Sequence, residues 1–168
     1  MNNLSFQKQY TNSQLTGLII LRILIGWHLL YEGFVKLVNP YWSSAEYLQQ
    51  SSWFVSKLFA ALAKNPLILE IMDHGNIWGL ILIGSALIAG FFFRPACIAG
   101  MVLISLYYIS HPPFIGYSSI APTEGNYLLV NKNLIEIAAL FVLYLFPTGH
   151  YLGLDRLFSP LLKRKTNE

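Results

Sequence analysis

The chain is 168 residues long, 55% hydrophobic and only 11% charged, with a formal net charge of +3. That length holds one domain, and because soluble domains carry about 25% charged residues, a mean hydropathy of +0.50 excludes an ordinary soluble globule. The small, scattered positive charge gives no reason to expect nucleic acid, and the lone Cys97 excludes an internal disulfide or a CxxC redox pair.

The first apolar run extends from about Leu15 to Leu37. A bilayer core of roughly 30 Å takes about 20 helical residues, so this run is long enough to cross. It contains Arg22 and no small-residue cleavage site follows it, so a retained helix is expected rather than a signal peptide. It also carries His28, Glu32 and Lys36. Arg22, Gly26, Gly33 and Lys36 share one face within roughly 80°. Glu32 sits at its edge, four residues before Lys36, in the favourable order for an ion pair. Charges in hydrocarbon are costly and converge inside the protein, so this face is predicted to point inward.

Nearly forty residues then separate the first run from the second. Ser43 to Gln50 and Ser52 to Lys64 read as short amphipathic helices, the latter with Trp53, Phe54, Leu58, Phe59 and Leu62 on its apolar face. Lys57 and Lys64 point away from that face. Pro66 is expected to break the run, with Leu67 to Met72 starting another turn. This segment should lie at the membrane interface or cap the bundle.

The second span is predicted from about Ile77 to Phe93 and the third from about Pro95 to Ser110, joined by a tight hairpin at Arg94-Pro95. His111-Pro112-Pro113 ends the third. Gly79, Ala86 and Gly90 share a face of the second span, and Ala96 and Gly100 are one turn apart on the third. Small residues at such spacing let helices approach closely in lipid. A loop of ordered coil, His111 to Asn131, leads to a fourth span from about Leu134 to Leu152, followed by a basic tail over 156–168.

The fold class expected is therefore all-α: an integral membrane four-helix bundle with short interfacial helices between the first and second spans. The basic cluster Lys163-Arg164-Lys165, with Lys8, Arg94 and Arg156, places both termini on the cytoplasmic side. In a bacterium the two long loops then face the periplasm across the inner membrane.

Glu136 is the one acid of the fourth span, beside Asn133 and about one turn from its non-cytoplasmic end. Glu32 and Lys36 occupy the matching end of the first span and His111 that of the third. These four are expected to meet in one layer, and Arg22 to pair with Asp155 at the opposite end. Buried ion pairs can fix helix register without catalysis, which is the reading preferred for Arg22 with Asp155. Two carboxylates and an imidazole beside a lipid-accessible cavity could instead pass protons to a quinone.

Metal-ligand spacing is absent, although His28, His111 and His150 leave haem ligation open. His74 and His150 are expected at helix ends, on the surface, and Cys97 in packing. Phosphate loop, nucleotide fingerprint, HExxH and CxxCH motifs are all missing.

Several motifs resemble the DoxX/DoxD family of four-helix membrane proteins, over about Leu21 to Phe158. They are Arg22…Gly26 with Tyr31-Glu32-Gly33-Phe34-Val35-Lys36-Leu37, Trp78-Gly79-Leu80 with Gly84, and Gly90-Phe91-Phe92-Phe93-Arg94. His111-Pro112-Pro113-Phe114 and Leu152-Gly153-Leu154-Asp155-Arg156 continue the series. The run Glu124 to Glu136 is similar to the DoxD branch, the membrane subunit of thiosulfate:quinone oxidoreductase.

The resemblance implies electron transfer from thiosulfate to quinone, with quinone as acceptor and a DoxA-type small subunit as partner. On that scheme Glu32, His111 and Glu136 handle the quinone protons. Lys36 and Lys132, with Asn126, Asn131 and Asn133, attract and bond the thiosulfate dianion. The lipid bilayer and a homo-oligomer are the other partners expected. The alternative is a non-catalytic membrane scaffold or assembly module for soluble redox or oxidative-stress proteins. A small-solute transporter is a third reading, disfavoured because no inverted repeat is apparent.

Overall fold

A computed structural model describes residues 10–113, 128–149 and 151–156. Its elements are α-helices, with one 3-10 turn and no strand among the described residues. In chain order they are α1 (Asn12–Val38), α2 (Ala45–Gln49), the 3-10 turn (Trp53–Val55), α3 (Ser56–Ala63), α4 (Pro66–Ala89), α5 (Phe93–Ser110) and α6 (Lys132–Leu145).

Local chemistry explains the helix limits. Thr11 and Gln14 form a reciprocal capping box at the start of α1, with bonds of 3.1 and 3.3 Å. The run before Pro66 breaks as expected, α3 ending at Ala63, and Pro66 itself starts the next helix. Asn65 Oδ1 accepts from Leu67 and Ile68 at 3.1 and 3.3 Å, and Pro66 takes the first helical position, where no amide proton is needed. The second span therefore begins eleven residues before Ile77, and His74 lies within α4, on its exposed side, rather than at a helix end.

The hairpin between α4 and α5 turns at Gly90–Phe92 and not at Arg94-Pro95. Gly90 closes α4 in the left-handed region at φ 64°. Pro95 sits in the first turn of α5, where its missing N–H costs nothing.

The fourth predicted span is the largest departure. Helix α6 runs from Lys132 and stops at Leu145, because Pro147 biases Phe146 away from helical geometry; Phe146 lies at φ −117°, ψ 70°. At 14 residues, α6 is about 21 Å long.

Helix α1 packs along α4, α4 against α5, α5 along α6, and α6 back against α1. Leu29, Leu80, Leu87, Ile104, Leu140 and Leu143 fill the centre, and Cys97 is buried among them. The tightest seam is α1 with α4. A Cβ added to Gly84 would stand 2.5 Å from the Leu30 amide nitrogen and 2.6 Å from the Gly26 carbonyl oxygen. Backbones that close leave no room for a side chain. Gly100 is tight against Leu140, whereas Gly79 meets only Leu103 at 3.9 Å.

Three helices, α1, α4 and α5, are long and apolar enough to cross a membrane. Large apolar side chains such as Leu24, Trp27, Phe34, Leu82 and Val102 face outward, a surface suited to acyl chains rather than water. This makes the chain a multi-pass helical membrane protein. On the segment between α2 and α4, Trp53, Phe54 and Leu58 point outward while Val55 and Ala63 are buried.

Candidate functional site

Helix α1 meets α6 through a charged pair. His28 Nδ1 stands 2.5 Å from Glu136 Oε1, without forming a hydrogen bond. The other ring nitrogen, Nε2, lies 3.3 Å from Lys132 Nζ. Lys132 and Glu136 are one turn apart on α6, so both reach the same imidazole. An ammonium can only donate, so this contact is a hydrogen bond when Nε2 carries no proton. The Glu136 side chain is 15% exposed and that of His28 31%, which places the pair at the edge of the packed interior. A carboxylate and an ammonium on either side of one imidazole make a site that can hold a proton.

A second cluster surrounds Lys36 near the end of α1. Its Nζ is 3.6 Å from Glu32 Oε2 and stands over the rings of Trp42 and Tyr107, at 5.4 and 5.5 Å from their centroids. Aromatic faces stabilise a cation where water is scarce. The Tyr107 hydroxyl donates to Asn76 Oδ1 at 2.8 Å, tying α5 to α4. The Tyr47 hydroxyl donates to the Tyr107 carbonyl at 3.2 Å, which docks α2 on the end of α5. The Tyr47 ring packs 4.1 Å from the His111 ring. Burial pushes the His111 imidazole below its ordinary value, opposed by a hydrogen bond from the ring to the Gln50 backbone, and its Nδ1 is buried without a hydrogen-bond partner.

Beside this cluster lies a cleft of about 510 Å³ lined by Lys36, Trp42, Asp73, His74 and Trp78 among others. Ser44 closes its edge: both its amide, at 2.9 Å, and its hydroxyl donate to Asp73 Oδ1.

At the opposite end of the bundle Arg22 is almost wholly buried, at 2% exposure. It donates to Thr148 Oγ1 at 3.2 Å and lies over the Phe93 ring at 5.9 Å. Asp155 lies near enough for its charge to act on Arg22, but the two make no direct ion pair among the described residues. The Asp155 carboxylate instead accepts from the amides of Phe92 and Phe93, at 2.9 and 3.2 Å. It thus caps α5, satisfying N–H groups that no helical carbonyl can reach.

The expected layer is therefore divided. Glu32, Lys36 and His111 gather around Tyr107 and Tyr47, whereas Glu136 and Lys132 gather around His28. The groups remain neighbours, since Lys132 acts on Lys36 as a like charge. Asn131 caps α6, its Oδ1 accepting from Leu134 at 3.0 Å. Asn133 is half-buried on the first turn of α6, and Asn126 lies outside the described residues.

Sequence reasoning placed His28 one turn from Glu32 but did not join it to Glu136, and it missed Trp42, Tyr47, Asn76 and Tyr107. A tyrosine inside an apolar span was the available signal, because a buried hydroxyl needs a partner. No group of three or more His, Cys, Asp or Glu that could hold a metal occurs among the described residues.

No family model matches the chain, and neither a curated protein nor a solved structure is significantly similar to it.

Proposed function

We infer that this chain is a membrane redox subunit of the DoxX/DoxD type, passing electrons from thiosulfate or another small sulfur compound to quinone. The observation that carries the reading is two neighbouring groups of ionisable side chains on otherwise apolar helices, Glu32 with Lys36 and His28 with Glu136 and Lys132. Ionisable groups kept on apolar membrane helices are costly and mark substrate or proton pathways. In the reaction, two thiosulfate dianions join through a new S–S bond and release two electrons. Quinone takes up those electrons with two protons. On this reading Glu136 and His28 hold and deliver protons, and Lys36 and Lys132 attract the dianion. Glu32 and His111 serve the second proton position.

The same reading has α6 and the segment after it complete a fourth crossing. Both termini then lie on the cytoplasmic side of a bacterial inner membrane, with a small soluble subunit as partner. The deciding experiment reconstitutes the purified chain in nanodiscs, with and without a co-purified small subunit, and follows reduction of a short-chain quinone by thiosulfate. Reduction in either condition supports the assignment. Folded protein that reduces no quinone in both conditions removes it. Stable soluble partners recovered without turnover would favour a scaffold instead.

A further inference from the structure

A second groove lies away from the ionisable groups, between the first three turns of α1 and the end of α6. Its volume is about 560 Å³, within the roughly 300–1,000 Å³ typical of small-molecule sites. Leu18, Leu21, Val142 and Phe146 form its walls. Gly17 forms its floor, and a Cβ added there would meet nothing within 4 Å. The gap exists because α1 presents no side chain at that position and α6 ends at Phe146-Pro147. Ser13 to Leu21 covers about 12 Å along the helix axis, a large part of one leaflet.

The rim at the α1 N-terminus is polar, made by Tyr10, Ser13 and Gln14. Arg94 stands beside it. Its guanidinium lies over the Tyr144 ring at 5.9 Å and is close enough to act electrostatically on Tyr10. Arg94 is exposed and has no carboxylate partner among the described residues. Arg156 is exposed at the same end, while the nearby Asp155 carboxylate is committed to the amides of α5.

We propose that this groove holds one acyl chain of an anionic phospholipid whose headgroup phosphate is bound by Arg94. An apolar slot opening beside a cation that has no carboxylate partner among the described residues matches an amphiphile with a negative head, and the outward apolar faces of α1 and α6 put that slot in contact with the lipid phase. The inference stands apart from the redox reading, since it uses none of the residues assigned there.

Native mass spectrometry of the full chain released from nanodiscs tests it, with equal phosphatidylglycerol and phosphatidylcholine supplied. The expected result is one retained lipid per chain and a preference of about five-fold for phosphatidylglycerol, the scale of one arginine near a headgroup. Arg94→Gln should abolish the preference and keep the retention. Gly17→Leu should abolish retention of both lipids. Val142→Trp, which narrows the groove from its other wall, repeats that test if Gly17→Leu fails to fold.

Equal retention of the two lipids by the unaltered chain overturns the proposal. So does retention unchanged in both groove variants. Retention that appears only after residues 1–9 are removed would assign the groove to the chain's own N-terminus, and displacement by a short-chain quinone at stoichiometric concentration would assign it to quinone.

Discussion

His28 on α1 and Glu136 on α6 approach to 2.5 Å although they lie 108 positions apart in the sequence, and Lys132 touches the far side of the same ring. The contact joins α1 and α6 through ionisable groups, and its part in stability can be separated from the proton role proposed for it.

Replacing Glu136 with Gln keeps the shape and removes the charge. Quinone reduction, where measured with thiosulfate as donor, should fall by about 100-fold or more, the usual contribution of a positioned acid–base group. His28→Ala should fall comparably. Thermal unfolding in detergent should show a loss of only about 1–2 kcal/mol for either variant, because the pair is partly exposed and its attraction is screened. Activity lost in proportion to folded protein would reduce the pair to a structural role.

Lys36→Met removes the cation from between Trp42 and Tyr107 while preserving the stem. If Lys36 attracts the dianion, KM for thiosulfate should rise about ten-fold or more, the effect of losing a charge-assisted contact. Steady-state kinetics at varied ionic strength provides the check. An unchanged KM would leave Lys36 as a tie between α1, Trp42 and α5.

Gly84→Ala places a methyl group 2.5 Å from the Leu30 amide nitrogen. The obstacle is backbone, which cannot rotate aside, so the helices must separate. A loss of about 1–3 kcal/mol is expected from overpacking, read as a lowered Tm. Gly79→Ala, which meets only Leu103 at 3.9 Å, should be close to neutral. Equal Tm values for the two variants would contradict the packing described.

His111 supplies a pH dependence. Burial lowers its folded-state pKa below the ordinary value of about 6.5, so between those two values the unfolded chain binds more protons than the folded one. Its contribution to stability is present above about pH 6.5 and is lost as pH falls through the folded pKa. His111→Gln should flatten the pH profile of Tm over that interval. A profile with the same slope in the variant would show that other groups govern it.

Much of the architecture was legible in residue order. The lengths of the apolar runs identify α1 and α5 within a few residues, because hydrocarbon demands uninterrupted apolar helix. The short helices between the first and second spans followed from their periodicity. Local backbone chemistry is harder to weigh: the break at Pro66 is legible, but not that Asn65 caps it into the start of the second span, nor that Pro147 ends α6. In both cases one capping side chain or one missing amide proton outweighed the hydropathy of the surrounding run.

Composition and order by themselves determined that this protein is helical, that it belongs in lipid, and which few ionisable groups must find partners there. Only the tertiary structure decided who those partners are. Glu136 meets His28 rather than Glu32, and Asp155 serves the amides of α5 rather than Arg22. Helical periodicity assigns a face and a height to each side chain, but the rotation of one helix against another is set by where backbones can touch. Here that is the contact of Gly84 with Gly26 and Leu30, whose geometry exists only once two distant stretches of chain are packed together.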